Sequence, residues 1–187
     1  MSNFLEEIIE SKKNLDQLKD LEQKIDEAAD SIIECLRNGK KVIFCGNGGS
    51  AADSQHLAAE LMGRYLKDRS PLPAISLTVD TSAITAIGND YGYTSVFSRQ
   101  LEGIGGEGDI LYAISTSGNS ENVIEAIKTA KKMGLKIISV TGEDSGKMSK
   151  SSDHVLNVPS SKTNKIQEMH IIVGHYICGK VERTLFS

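Results

Sequence analysis

Apolar residues fall at Leu15, Leu18, Leu21, Ile25, Ala28, Ile32 and Leu36, the three-and-four spacing of one helical face. The spacing predicts helix over residues 1–37, as one long helix or two joined near Asp20, closed by Asn38-Gly39. This segment is longer than a helix that merely covers a sheet. Such a helix at a chain end serves either as a flanking layer on its own chain or as a surface against another subunit.

From residue 41 the pattern alternates. Apolar, β-branched runs at 41–45 (KVIFC), 74–78 (AISLT), 109–114 (DILYAI), 136–141 (KIISVT) and 153–158 (DHVLNV) read as five strands. Helical patterns at 51–66, 81–89, 120–133 and 163–184 separate or follow them. Strands alternating with helices predict an α/β fold: a three-layer αβα sandwich around a central five-stranded parallel sheet, with right-handed crossovers. There is no repeat, low-complexity tract or linker, so residues 1–187 read as one domain with 1–37 as an N-terminal helical extension.

Composition narrows the function classes. A net charge of −4 gives no reason to expect non-specific nucleic-acid binding, which draws on Lys and Arg neutralising phosphates. No apolar run approaches the roughly 20 residues that span a bilayer. The start of the chain carries Glu6 and Glu7 where a secretory signal would be basic. Cys35, Cys45 and Cys178 are odd in number and scattered, the pattern of reduced, packed thiols. These readings place the protein in the cytoplasm, with no membrane and no nucleic-acid partner.

In a parallel sheet, ligands bind beyond the carboxyl ends of the strands, and two loops there are unusual. Gly46-Asn47-Gly48-Gly49-Ser50-Ala51 joins the first strand to its helix. Its glycines let the backbone approach a ligand, and the helix start suits an anion. Ser115-Thr116-Ser117-Gly118-Asn119-Ser120 follows the third strand and offers hydroxyls, amides and a helix N-terminus, a phosphate cradle without lysine or metal. Gly46-x-Gly48-x-x-Ala51 also fits the dinucleotide pattern, with Asp80 as a candidate ribose acid. Against that, Asp80 lies 29 residues after Ala51, beyond the roughly 20 expected, and the second loop has no role in that scheme. The bland reading of the second loop is helix capping, for which one residue suffices.

His56 and Glu60 are four apart, on one helical face, a common spacing for two ligands of one metal. Gln167, Glu168, His170 and His175 interrupt an apolar helix and need partners if buried. Asn89-Asp90 read as turn residues by default.

CGNGGSAADSQHLAAE at 45–60, ISTSGNSENV at 114–123, and KIQEMH at 165–170 followed by His175 resemble the signatures of the phosphoheptose isomerases of the sugar isomerase (SIS) superfamily. The resemblance runs over nearly the whole chain. It implies an SIS αβα sandwich assembled as a homotetramer with active sites near subunit interfaces, the 1–37 extension serving oligomerisation. It implies a sugar-phosphate substrate: sedoheptulose 7-phosphate, isomerised to D-glycero-D-manno-heptose 7-phosphate for bacterial lipopolysaccharide or capsule. By position, Asn47, Gly48, Gly49, Glu60, Asn89, Asp90, Ser115, Thr116, Ser117, Ser120 and Gln167 match substrate-contacting residues. His56, Glu60, Gln167 and His175 match the ligands of one zinc ion (Zn2+) per subunit, and Glu60 with His175 the catalytic acid–base pair. One departure is Asn164, where relatives often carry Asp.

The reaction moves a proton between adjacent carbons through a cis-enediol, with a glutamate near the diol as base. Tight zinc binding would compete with that role for Glu60, which is therefore base first and ligand second. Gln167 and His175 stand roughly 12 Å apart along a regular helix, so each site is expected to draw on more than one subunit. Two alternatives stand beside this reading. One is a non-catalytic SIS protein that binds the bacterial replication initiator. The other is an SIS enzyme of a different phosphosugar.

Overall fold

A computed structural model describes residues 3–187. Its five parallel strands are β1 (Val42–Gly46), β2 (Ala74–Ser76), β3 (Ile110–Ile114), β4 (Lys136–Thr141) and β5 (His154–Asn157), in the order β2-β1-β3-β4-β5. Val42 pairs with Ala74 on one side and Ile110 on the other; Ile110 pairs with Lys136, and Ile138 with His154. The interior strands are continuously apolar because both faces are covered. Val42 and Phe44 enter one core, with Leu57, Tyr112, Val140 and Val173. Ile43 and Cys45 enter the other, with Leu111, Val123, Ile127 and Ile137. The period-two alternation of a strand thus divides each run between two helical layers.

The helices are α1 (Phe4–Leu18), α2 (Glu22–Arg37), α3 (Gly49–Met62), α4 (Thr81–Tyr91), α5 (Ser98–Ile104), α6 (Glu121–Lys132) and α7 (Thr163–Leu185). The N-terminal segment is two helices joined by one 3-10 turn at Lys19–Leu21, the junction expected near Asp20. An Asn3–Glu6 capping box starts α1. Both helices lie along α7. Tyr176 donates to Asp26 at 2.7 Å, and Lys180 meets Asp26 and Asp30 at 3.0 and 2.8 Å. Buried Lys165 reaches Glu7 and Ser11 of α1, both at 2.9 Å. The flanking-layer reading therefore holds within the chain, while Phe4, Leu5 and Ile9 of α1 remain exposed.

Two expectations are corrected. Helix α3 ends at Met62, short of the expected 66, because Gly63 breaks it and Arg69 takes the carbonyls of Glu60 and Leu61 at 2.8 and 2.7 Å. The unassigned stretch after residue 91 holds a 3-10 turn, Tyr93–Ser95, and α5.

The topology positions the site. β1 leads to its neighbour on one side, β3 to its neighbour on the other. Their crossovers diverge and open a crevice at the carboxyl ends of those two strands. Both unusual loops begin there.

Candidate functional site

The first loop runs from Gly46 into α3. Gly48, with φ of +56°, is the N-cap and offers no side-chain capping bond. A side chain at Gly49 would displace the Gln167 amide: its Cβ would lie 2.5 Å from Gln167 Nε2. The N-terminus of α3 thus lies against the Gln167 amide of α7, and its partial positive end faces the crevice.

The second loop runs from Ser115 to Ser120. Ser120 is the N-cap of α6, yet makes no side-chain capping bond. Its Oγ lies 2.9 Å from Ser115 Oγ, which lies 3.4 Å from Ser117 Oγ. Three hydroxyls therefore gather beside a helix N-terminus rather than capping it, the geometry of an anion cradle. The backbone is pinned from the loop after β4: Gly142 N–H donates to Thr116 O, and Met148 N–H to Gly118 O, both at 3.1 Å.

A reciprocal amide pair fastens the loops together. Asn47 Nδ2 donates to Asn122 Oδ1 at 2.8 Å, and Asn122 Nδ2 to Asn47 Oδ1 at 2.9 Å. Tyr93 OH adds a bond to Asn47 Oδ1 at 3.2 Å. Asn89 and Asp90, in the last turn of α4, hydrogen-bond each other at 2.8 Å and are exposed. The candidate ribose acid, Asp80, caps α4 by accepting from Ala83 N–H at 2.9 Å.

Helices α3 and α7 run side by side in the same direction: Gln167 meets Gly49, and Gly174 meets Leu57. A Cβ at Gly174 would sit 2.6 Å from Leu57 Cδ2, so glycine is required where the helices approach. One residue on, His175 turns to His56. Their Nε2 atoms are 2.8 Å apart, and His56 Nε2 is 3.2 Å from Glu60 Oε1. Donor atoms of His56, Glu60 and His175 all lie within 4.8 Å of one another. The Tyr65 ring packs on His175, centroids 5.8 Å apart. His56 is half exposed, so the cluster is open to a ligand, while Glu60 is more covered.

Glu60 and His175 meet within one chain, so their pairing calls for no second subunit. Gln167 stands apart, against Gly49, eight residues before His175. The other polar residues of α7 are structural. His170 is buried with Nε2 3.1 Å from Thr141 O, and burial pushes its pKa down to about 4. Glu168 pairs with Lys165 at 3.1 Å, and Asn164 is exposed in the first turn. The three cysteines are buried. Burial pushes Cys35 up to about 11 and Cys45 and Cys178 up to about 12, leaving inert thiols.

Two imidazole nitrogens and a carboxylate oxygen, converging from two rigid helices, suit zinc chemically. Beneath them lies a residue the sequence reading passed over. Asp53 is three residues before His56, and its Oδ2 is buried without a hydrogen-bond partner. Burial raises its pKa, while His56 and His175 pull the other way. Asn122 and Tyr65 were also passed over. Asn122 belongs to the quoted ISTSGNSENV stretch; for Tyr65 the sequence carries no signal, since a tertiary contact gives it its place.

The SIS domain family profile matches residues 3–142. The chain is 55% identical over 171 residues to a phosphoheptose isomerase of Rhodospirillum rubrum, covering 91% of each chain. It is 49% identical over 188 residues to that of Akkermansia muciniphila, covering all of both. Among solved structures, phosphoheptose isomerase from Neisseria gonorrhoeae superposes with a TM-score of 0.91 at 44% identity, covering 96% of each chain. A phosphoheptose isomerase from Francisella tularensis gives 0.88 at 37% identity, covering 97% of this chain and 100% of that one.

Proposed function

The chain belongs to the SIS domain family and, within it, to the phosphoheptose isomerases, and on that footing we propose that its crevice interconverts sedoheptulose 7-phosphate and D-glycero-D-manno-heptose 7-phosphate. The observation that carries the reading is the convergence of Glu60 and His175 from two helices, beside a hydroxyl-lined cradle. The cradle, built from Gly48, Gly49, Ser115, Thr116, Ser117 and Ser120, takes the phosphate on two helix N-termini. Asn47, Asn89, Asp90 and Gln167 complete the sugar contacts.

Isomerisation removes a carbon-bound proton to give a cis-enediol and returns it to the neighbouring carbon. Glu60 and His175 form the acid–base pair for this transfer. Glu60 Oε1 faces His56, and among the described residues no hydrogen bond takes Oε2, which suits a carboxylate that works as base. His56, Glu60 and His175 would hold a zinc ion; Gln167, the fourth ligand of the family's pattern, lies against Gly49 in this chain, apart from those three donors. When bound, zinc supplies Lewis-acid polarisation of the sugar's carbonyl and hydroxyl oxygens. Residues 1–187 form one SIS domain in this reading, working in the cytoplasm as a homotetramer with its sites near subunit interfaces. No helix among the described residues is long and apolar enough to cross a membrane. The product supplies heptose for bacterial surface polysaccharide, lipopolysaccharide or capsule.

A module that only binds another protein has no use for the three converging donors, and nothing observed favours that alternative. Incubation of purified protein with sedoheptulose 7-phosphate, followed by NMR, is expected to show the aldose product. No turnover with zinc supplied would overturn the proposal.

A further inference from the structure

The catalytic geometry depends on how firmly α3 and α7 are held at one spacing, and one buried ion pair grips both. The side chains of Arg69 and Glu182 are each 2% exposed, with Arg69 Nε 3.2 Å from Glu182 Oε2. Each group is fully engaged. Glu182 accepts from the backbone N–H groups of Tyr65, Leu66 and Lys67 at 3.1, 2.9 and 2.9 Å. Arg69 donates to the carbonyls of Leu61, Gly63, Ser70 and Glu60 at 2.7, 3.3, 3.0 and 2.8 Å.

The partners are specific to the site. Arg69 holds the carbonyl of Glu60 itself and neutralises the negative end of α3, the helix that carries His56. Glu182 lies seven residues, two turns, after His175 on α7. The stretch that Glu182 holds, between the end of α3 and Arg69, begins with Tyr65, whose N–H donates to Glu182 and whose ring packs on His175. Gly179 lets that ring in: a Cβ there would lie 3.2 Å from Tyr65 Cε1. Burial works against the Glu182 charge, but the amides of Leu66, Lys67 and Tyr65 and the guanidinium outweigh it and keep the carboxyl below its ordinary range.

Removing a pair of charges from water is costly, and apolar residues of similar volume often serve stability as well or better. Stability alone therefore does not account for the pair, whereas fixed relative placement does. We propose that Arg69 and Glu182 are positioning residues for the isomerisation. They set the separation of Glu60 from His175 and hold Tyr65 against the His175 ring. This rests on the acid–base roles given above to Glu60 and His175.

The test compares Glu182→Gln, which keeps the size but loses the charge and turns one of the two accepting oxygens into a donor, so that Tyr65 N–H and Arg69 Nε lose their acceptor if the amide oxygen stays on Leu66 and Lys67, with Val181→Ala, a core truncation next to it. Both are assayed well below their melting temperatures. A displacement of about 1 Å in a reacting group can cost about a hundredfold. Glu182→Gln is expected to lose about tenfold or more in kcat with KM within about twofold, whereas Val181→Ala keeps kcat within about twofold although it too lowers Tm. If Glu182→Gln fails to fold, Arg69→Lys, which keeps the charge but not the five-donor fork, is expected to show the same split. Near-native kcat in the folded variant, or an equal loss in Val181→Ala, overturns the proposal. A crystal structure of the folded variant reads the same point without turnover: Tyr65 should leave His175 and the Glu60–His175 separation should open. An unchanged geometry also overturns it. Should the wild type itself not turn over the sugar, the functional reading fails, and the crystal structure still decides the clamp.

Discussion

At the scale of residues, environment assigns the roles. Two histidines five positions apart on α7 have opposite fates: His175 faces His56 and Glu60, and His170 sits in the core under Thr141. Glu60→Gln keeps the side chain's size and removes the base, so kcat is expected to fall by about 10²–10⁴-fold with little change in melting temperature, as steady-state kinetics and calorimetry would read. His170 makes the opposite prediction. Its folded pKa of about 4 lies below the ordinary 6.5, so between those values the unfolded chain binds the extra proton. Its contribution to stability is present above 6.5 and is lost as pH falls toward 4, by roughly 3 kcal/mol. In urea unfolding, His170→Gln should show a smaller loss of stability between pH 7 and 4.5 than wild type; an equal loss would contradict this. The i,i+4 spacing of His56 and Glu60 was legible because it is local. Asp53, one turn earlier on the same helix, was not, because only the packing of α3 shows its carboxylate to be buried.

At the scale of elements, the pairing of α3 with α7 is what turns two sequence motifs into one site. Gly174→Ala places a Cβ where Leu57 already stands. It is expected to cost about 1–3 kcal/mol, and to lower kcat by spreading the helices. Gly103→Ala, in α5 with open space around the new methyl, should be neutral or slightly stabilising. Denaturant unfolding of both variants checks the contrast. The strands and long helices could be read from periodicity, and β4 matched residue for residue. Helix α5 could not. It is seven residues long and carries Gly103, with Gly105, Gly106 and Gly108 just beyond, so too few periodic positions mark it. The separation expected between Gln167 and His175 is present within the chain. The helices run parallel, Gln167 stands by the glycine loop, and the two imidazoles and Glu60 form their own cluster farther along.

At the scale of the whole molecule, strand order does what no motif does alone. With β1 and β3 adjacent and their crossovers diverging, the glycine loop and the serine loop meet at one crevice, where Asn47 and Asn122 bolt them together. The motifs were visible in the chain; their adjacency came from the parallel topology. The exposed Phe4, Leu5 and Ile9 of α1 belong to this scale too. Under the homotetramer reading, sedimentation should give about four times 20.2 kDa, and replacing these three by Ser or Gln should shift it to smaller species. A wild-type monomer would contradict that reading. The account as a whole is tested most directly by a crystal structure of Glu60→Gln with sedoheptulose 7-phosphate bound. It predicts the phosphate among Gly48, Ser115, Ser117 and Ser120, and the first two sugar carbons within about 3–3.5 Å of the position-60 and His175 side chains. A phosphate held elsewhere, or those carbons turned away from both side chains, would contradict it.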